Sequence, residues 1–137
     1  MVHLQFHSLL SQTFGTLFNN QITSDCKLIF PDSKSTLYVH KFVLCAFSEH
    51  FKQLFENNNK NETLPTIILE KGIDQKLMTL LIKSLYTGEI QEISGGRDIL
   101  PLIQLALKYK FHAIISPLVD QLSIDFDLKT NLLPCLT

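Results

Sequence analysis

No excess of positive charge runs through this chain: 12 Lys and Arg stand against 13 Asp and Glu, for a formal net charge of −1. A module that holds nucleic acid by its phosphates carries a clear basic excess, so direct binding to DNA or RNA is not expected of these 137 residues. Nor is any apolar stretch long enough to cross a bilayer. The start, "MVHLQFHSLLSQTFGTLF", has no Lys or Arg ahead of its apolar residues and no unbroken apolar run, so it does not read as a signal peptide. Cysteine is scarce: Cys26, Cys45 and Cys135 are odd in number and lack CxxC spacing. That suits reduced thiols in a cytosolic or nuclear protein, and it makes the "NET" glycosylation match at 61–63 a chance one. No phosphate-cradling or dinucleotide-binding glycine pattern is present; "SGGR" (94–97) reads as a flexible turn.

What could carry chemistry is equally thin. His40, Cys45 and His50 follow one another at intervals of five residues. On a helix five residues turn by about 500°, which sends successive members roughly 140° apart, so they do not converge on a metal ion. Cys45 lies in the apolar stretch "VLCAF", where a buried thiol is inert. Nothing in the pattern supports pairing it with His3, His7 or His112. No two carboxylates stand in a setting that would raise a pKa. The chain is not expected to be an enzyme, and it calls for no metal, cofactor or small-molecule substrate.

What is present is a hydrophobic share of 45% with 18% charged residues, which fits one folded domain. Phe6, Leu10, Phe14, Leu17 and Phe18 fall at helical spacing between Gln5 and Asn20, after an extended piece over 2–6. "DCKLIF" (25–30) and "TLYVH" (36–40) read as strands joined by the turn "PDSKS" (31–35), a hairpin. Lys41 to Glu56 carries a helical period, "NNNKNET" (57–63) is a polar loop, and "TIILE" (66–70) is a third, β-branched strand. A helix over 74–87 has Asp74 as N-cap and Gly88 as its stop. After a loop at 92–97, Asp98 opens a helix through "ILPLIQLALKYKF", and Ser116–Pro117 opens another. The tail from Asp125 onward is ambiguous. This order predicts an α+β domain, a small and mostly three-stranded sheet capped by five or six helices. That many helices on so few strands leaves two readings for the spare apolar faces: packing on the core, or a subunit interface.

"SDCKLIF" (24–30), "YVHKFVLCAFSEHFKQLF" (38–55), "IILE" (67–70), "LIKSLYTGEI" (81–90) and "ILPLIQLALKYKF" (99–111), in that order, resemble the BTB/POZ domain family over about residues 5–122. The resemblance implies a BTB/POZ fold over 1–122, with 123–137 an extension or the start of a linker. It gives His40 a structural place where strand becomes helix, with Ser48, Phe51, Tyr86 and Gly88 as further structural positions. It places Asp25 and Lys41 as paired charges lining a pocket between subunits. The leading segment 2–19 is similar to the strand and helix by which family members of the transcription-factor type dimerise. On that likeness Val2, Leu4, Phe6, Leu10, Phe14 and Leu17 are interface residues, and the leading strand exchanges between subunits.

The expectation that follows is a self-association module at the N-terminus of a longer protein. It would form a homodimer or something larger, and would bind other BTB or co-regulator proteins. It would serve a transcriptional or chromatin-organising regulator in the nucleus, with the cytoplasm as the other possible location, and make no membrane contact of its own. The alternative is a substrate adaptor for a cullin-based ubiquitin ligase. The loop "ENNNKNET" (56–63) weakens it, because polar residues stand where such adaptors carry an apolar one.

Overall fold

Residues 26–30 alternate between a buried and a half-buried side chain, and this alternation seats the sheet on the rest of the molecule. The computed structural model describes residues 2–57, 66–91 and 95–132. Strand β1 (Cys26–Phe30) turns Cys26, Leu28 and Phe30 inward, and β2 (Ser35–Val39) turns Leu37 and Val39 inward beside them. The two pair antiparallel with Cys26 opposite Val39 and Phe30 opposite Ser35. The third strand, β3 (Thr66–Ile68), pairs parallel to β1 on its other side, giving the order β2-β1-β3. A parallel neighbour needs a long crossover, and here it runs through β2 and two helices.

Those helices, α2 (Lys41–Phe47) and α3 (Glu49–Asn57), correct the single helix expected over 41–56. Ser48 between them is extended, at φ −132° and ψ 115°. Its hydroxyl accepts the Phe51 N–H at 3.1 Å, capping α3, and donates to the Tyr109 carbonyl at 2.5 Å. A side chain that satisfies two buried backbone groups at once makes the break more favourable than a continuous helix.

Helix α4 (Gln75–Thr87) is the centre of the core: Leu77, Met78, Leu81, Ile82, Ser84, Leu85 and Tyr86 are all buried. Its ends match the sequence reading. The Asp74 carboxylate accepts the Leu77 N–H at 3.1 Å, and Gly88 stops the helix at φ +80°, a left-handed conformation that favours glycine. The hairpin turn is tied to the entry of α4, since Asp32 accepts the Gly72 N–H at 2.8 Å and Ser33 Oγ bonds to Gln75 Oε1 at 2.5 Å.

Helix α5 (Gly95–Lys108) starts three residues before the expected Asp98, so Gly95 to Arg97 are helical and Pro101 lies one turn further in. It ends at a reversal where Phe111 N–H reaches Ala106 O at 2.8 Å and Lys110 N–H reaches Leu107 O at 3.3 Å. Lys110 sits there at φ +57°, where glycine is usual. Helix α6 (His112–Leu132) begins earlier than the predicted start at Ser116, contains Pro117, and runs unbroken across residue 122. Among the described residues no helix is long and apolar enough to cross a membrane.

At the N-terminus, α1 (His7–Gly15) is shorter than the expected span and gives way to i→i−3 bonds: Thr16 N–H to Thr13 O, Leu17 N–H to Phe14 O, Phe18 N–H to Gly15 O. Residues 2–6 form no strand within the chain, having no neighbouring ladder to join. The chance glycosylation match at 61–63 and residues 58–63 of the loop lie outside the described residues.

Candidate interaction surface

Helix α1 buries none of its residues. Val2 is 81% exposed, Leu4 77%, Phe6 59%, Leu9 61% and Leu10 50%. Leaving this many large apolar groups in water is costly, at about 25 cal/mol per Å², and an ordered exposed patch of them marks a docking surface. Helix α1 is held by α4, close enough that a Cβ on Gly15 would lie 3.4 Å from Thr87 Cγ2.

The arm continues into a groove. Leu10, Ser11 and Phe14 form one wall, Phe42, Val43, Ala46 and Phe47 of α2 the other, and the end of α4 the floor, around a volume of about 410 Å³. Phe14 meets the edge of Phe42 at 6.5 Å between ring centres, yet Phe42 stays 57% exposed. A second apolar groove of about 370 Å³ adjoins it across Phe47, Leu85 and Gly88, and is closed by Ile90, Ile99, Ile114, Pro117 and Leu118.

Of the residues singled out in the sequence, Val2, Leu4, Phe6, Leu10 and Phe14 are exposed on this face. Leu17 differs: it is half-buried and packs against the core beside Phe18. Three residues of the face were missed. Leu9 neighbours Leu10 on the outer side of α1, and Phe42 and Phe47 belong to "KFVLCAF", apolar at six successive positions after Lys41. A short helix apolar all round has a face to spare, and that was the available signal.

Beneath the groove lies a polar network. His40, 4% exposed, has Nδ1 2.9 Å from the Tyr86 hydroxyl and Nε2 3.0 Å from Thr23 Oγ1, and its backbone N–H donates to the Tyr86 oxygen at 3.0 Å. Asp25 and Lys41 come together through the backbone: Asp25 Oδ1 accepts the Lys41 N–H at 2.7 Å. The Lys41 ammonium lies 5.8 Å from the centre of the Phe55 ring. Phe51 is fully buried and stacks on Tyr109 at 5.7 Å.

These surroundings suppress reactivity. Burial pushes the Cys26 thiol up to about 12, with the Asp25 carboxylate adding to the effect. Cys45 is raised by burial first and by Glu56 and Asp25 next. Burial also holds the Tyr86 and Tyr109 hydroxyls up at about 12. Neither thiol is primed as a nucleophile. Among the described residues no three His, Cys, Asp or Glu side chains gather where they could hold a metal ion.

Comparison with known proteins agrees with this architecture. A family model described as the BTB/POZ domain matches residues 14–123. A BTB/POZ domain-containing protein of Acanthamoeba polyphaga mimivirus is 38% identical over 77 residues, 55% of this chain and 15% of that protein. The chain therefore matches only a small part of that relative's length. The BTB (Tramtrack and Bric a brac) domain of human gigaxonin superposes with a TM-score of 0.66 at 16% identity, over 88% of this chain and 95% of that one. At that identity the likeness concerns the fold.

Proposed function

Because the chain belongs to the BTB/POZ domain family, a family of protein–protein interaction modules, we propose that it joins copies of itself through the leading arm and the groove behind it. The observation that carries this reading is the continuous apolar face from Val2 through Leu10 and Phe14 to Phe42 and Phe47. Val2, Leu4, Phe6, Leu10 and Phe14 are also the arm residues that the family resemblance assigns to an interface. The reading extends beyond the matched span, which begins at residue 14.

Self-association raises the local concentration of whatever is attached, so linked binding segments gain avidity without new contacts. The role we propose for the whole protein is accordingly a transcriptional or chromatin-organising regulator acting in the nucleus, supported by the likeness of the arm to dimeric members of that type.

Light scattering of residues 1–137 over a range of concentrations tests the self-association, beside a Leu10→Asp/Phe14→Asp variant. The expected result is a wild-type dimer or larger discrete species that falls to monomer in the variant, with the helical circular dichroism retained. A wild-type monomer at tens of micromolar, a range in which an interface of standard size is populated, would refute the reading. Binding of a cullin N-terminal segment by that monomer would favour the ligase adaptor instead.

A further inference from the structure

Phe47 stays exposed as a ridge between two hollows. On one side of it is the groove beside α1; on the other is the second groove, about 370 Å³ in volume, between the end of α4 and the first turns of α6. Two of the positions that face this second groove carry almost no side chain. Gly88, which stops α4 in the left-handed conformation, has none, and Ala113 at the start of α6 has a single methyl. Leu85, Ile99, Ile114 and Leu118 give it an apolar floor. Its volume lies in the range of about 300–1,000 Å³ that ligand sites occupy, and such sites combine an apolar lining with a few placed polar groups.

The polar groups here say what would fit. Ser84 Oγ donates its proton to the Leu81 carbonyl at 2.5 Å, so toward the groove its oxygen can only accept. Glu89 is the one charged side chain among the described residues that line the groove. Its Oε1 accepts from Gln91 Nε2 at 2.8 Å, which leaves acceptor capacity on the carboxylate. Among the described residues no cation lies within ion-pair distance of it. Lys83 borders Glu89 from a separate, smaller hollow and makes no bridge to it. An apolar floor with an acceptor carboxylate at its rim is complementary to an apolar segment that carries a cation. The leading arm of a second copy does not answer to this description, because residues 1–24 contain no Lys or Arg.

We propose that this groove binds a linear segment of a partner protein in which large apolar side chains stand beside a Lys or Arg, the apolar groups entering over Leu85 and Leu118 and the cation pairing with Glu89. The site lies within a single chain and does not rest on self-association.

Selection of short random peptides displayed on phage against the whole chain tests it, with wild type, Glu89→Lys and Ala113→Trp as targets. Both substituted residues are exposed, and helical circular dichroism checks that the fold is kept. If Ala113→Trp loses helicity, Gln121→Trp, exposed along the same wall, takes its place. Wild type should enrich peptides with large apolar residues next to Lys or Arg. Glu89→Lys should enrich the same apolar residues next to Asp or Glu, and Ala113→Trp, whose indole fills the groove, should enrich none of them. The strongest wild-type peptide, carrying a fluorescent label, should bind Glu89→Gln up to about fivefold more weakly, the scale of an exposed ion pair. That difference should close at about 1 M salt. Enriched peptides without a cation, the same peptides from Glu89→Lys, equal binding to Ala113→Trp, or no enrichment at all overturns the proposal. Light scattering of the same proteins keeps it apart from self-association. A dimer that falls to monomer in Ala113→Trp would show that a second copy covers the groove, and overturns the proposal as well. A wild type that is monomeric refutes self-association alone, and the peptide result still decides the groove.

Discussion

Ser48→Ala is the substitution on which the account of this fold is most exposed. Ser48 is 1% accessible, and its hydroxyl accepts the first-turn N–H of Phe51 and donates to the Tyr109 carbonyl where α5 ends. Losing a helix cap costs about 1 kcal/mol, and a buried carbonyl left without its donor costs about 1–3 kcal/mol more. The sum, roughly 2–4 kcal/mol, is a large share of the 5–15 kcal/mol of an ordinary domain. It should lower the melting temperature by roughly 5–12 °C. Urea denaturation followed by circular dichroism measures this directly, at one fixed protein concentration, because self-association would otherwise add to the apparent stability. The midpoint should fall with the slope unchanged. Lys52→Ala, on the exposed face of the same helix, should stay within about 0.5 kcal/mol. A loss below about 1 kcal/mol for Ser48→Ala would refute the reasoning, since it would mean that α3 and the end of α5 find other partners at no cost.

Two further outcomes follow from single features. Lys110 occupies a left-handed position at φ +57° that closes α5, so Lys110→Gly should raise stability by about 1 kcal/mol; a destabilised variant in the same urea assay would show that the lysine side chain contributes more than its backbone costs. Cys26, Tyr86 and Tyr109 keep their protons to about 12 in the folded chain, against ordinary values of 9.0 and 10.0. The folded state therefore holds more protons than the unfolded one above pH 9, and stability, full below that value, should fall as pH rises toward 12, by up to about 1.4 kcal/mol per pH unit for each group. Equal urea midpoints at about pH 8 and about pH 11 would contradict that linkage.

Where the sequence could be read, one residue type answered one local need. Asp74 caps α4 and Gly88 stops it because a short carboxylate and a residue without Cβ are the usual solutions at those two places. The β1–β2 hairpin was legible from alternation and turn residues, since its register is local. Three features were hidden for physical reasons. The break at Ser48 depends on the Tyr109 carbonyl, 61 residues away, so a continuous helical period through 41–56 gave no sign of it. The stop of α5 uses Lys110 where glycine would have announced it, so the periodic run seemed to continue to Phe111. The parallel placement of β3 rests on a crossover, which no strand pattern encodes.

The interaction face shows the same limit in another form. Periodicity says which residues share a side of a helix, and not whether that side meets the core or the solvent. Phe14 and Leu17 carry equal weight in the pattern, yet i→i−3 bonds tighten the chain after Gly15, leaving Phe14 at the groove and turning Leu17 onto the core. Phe42 and Val43 are adjacent and both apolar, and the extended backbone of His40 ahead of them sets the phase in which Val43 is buried and Phe42 is presented. That phase is held by the hydrogen bonds of His40 to Tyr86, a residue on a different helix. The outward face of α2 is thus specified by a buried polar contact 46 residues distant in sequence. For this reason Tyr86→Phe, a change at a buried residue that removes no surface contact, should lower association in the light-scattering assay.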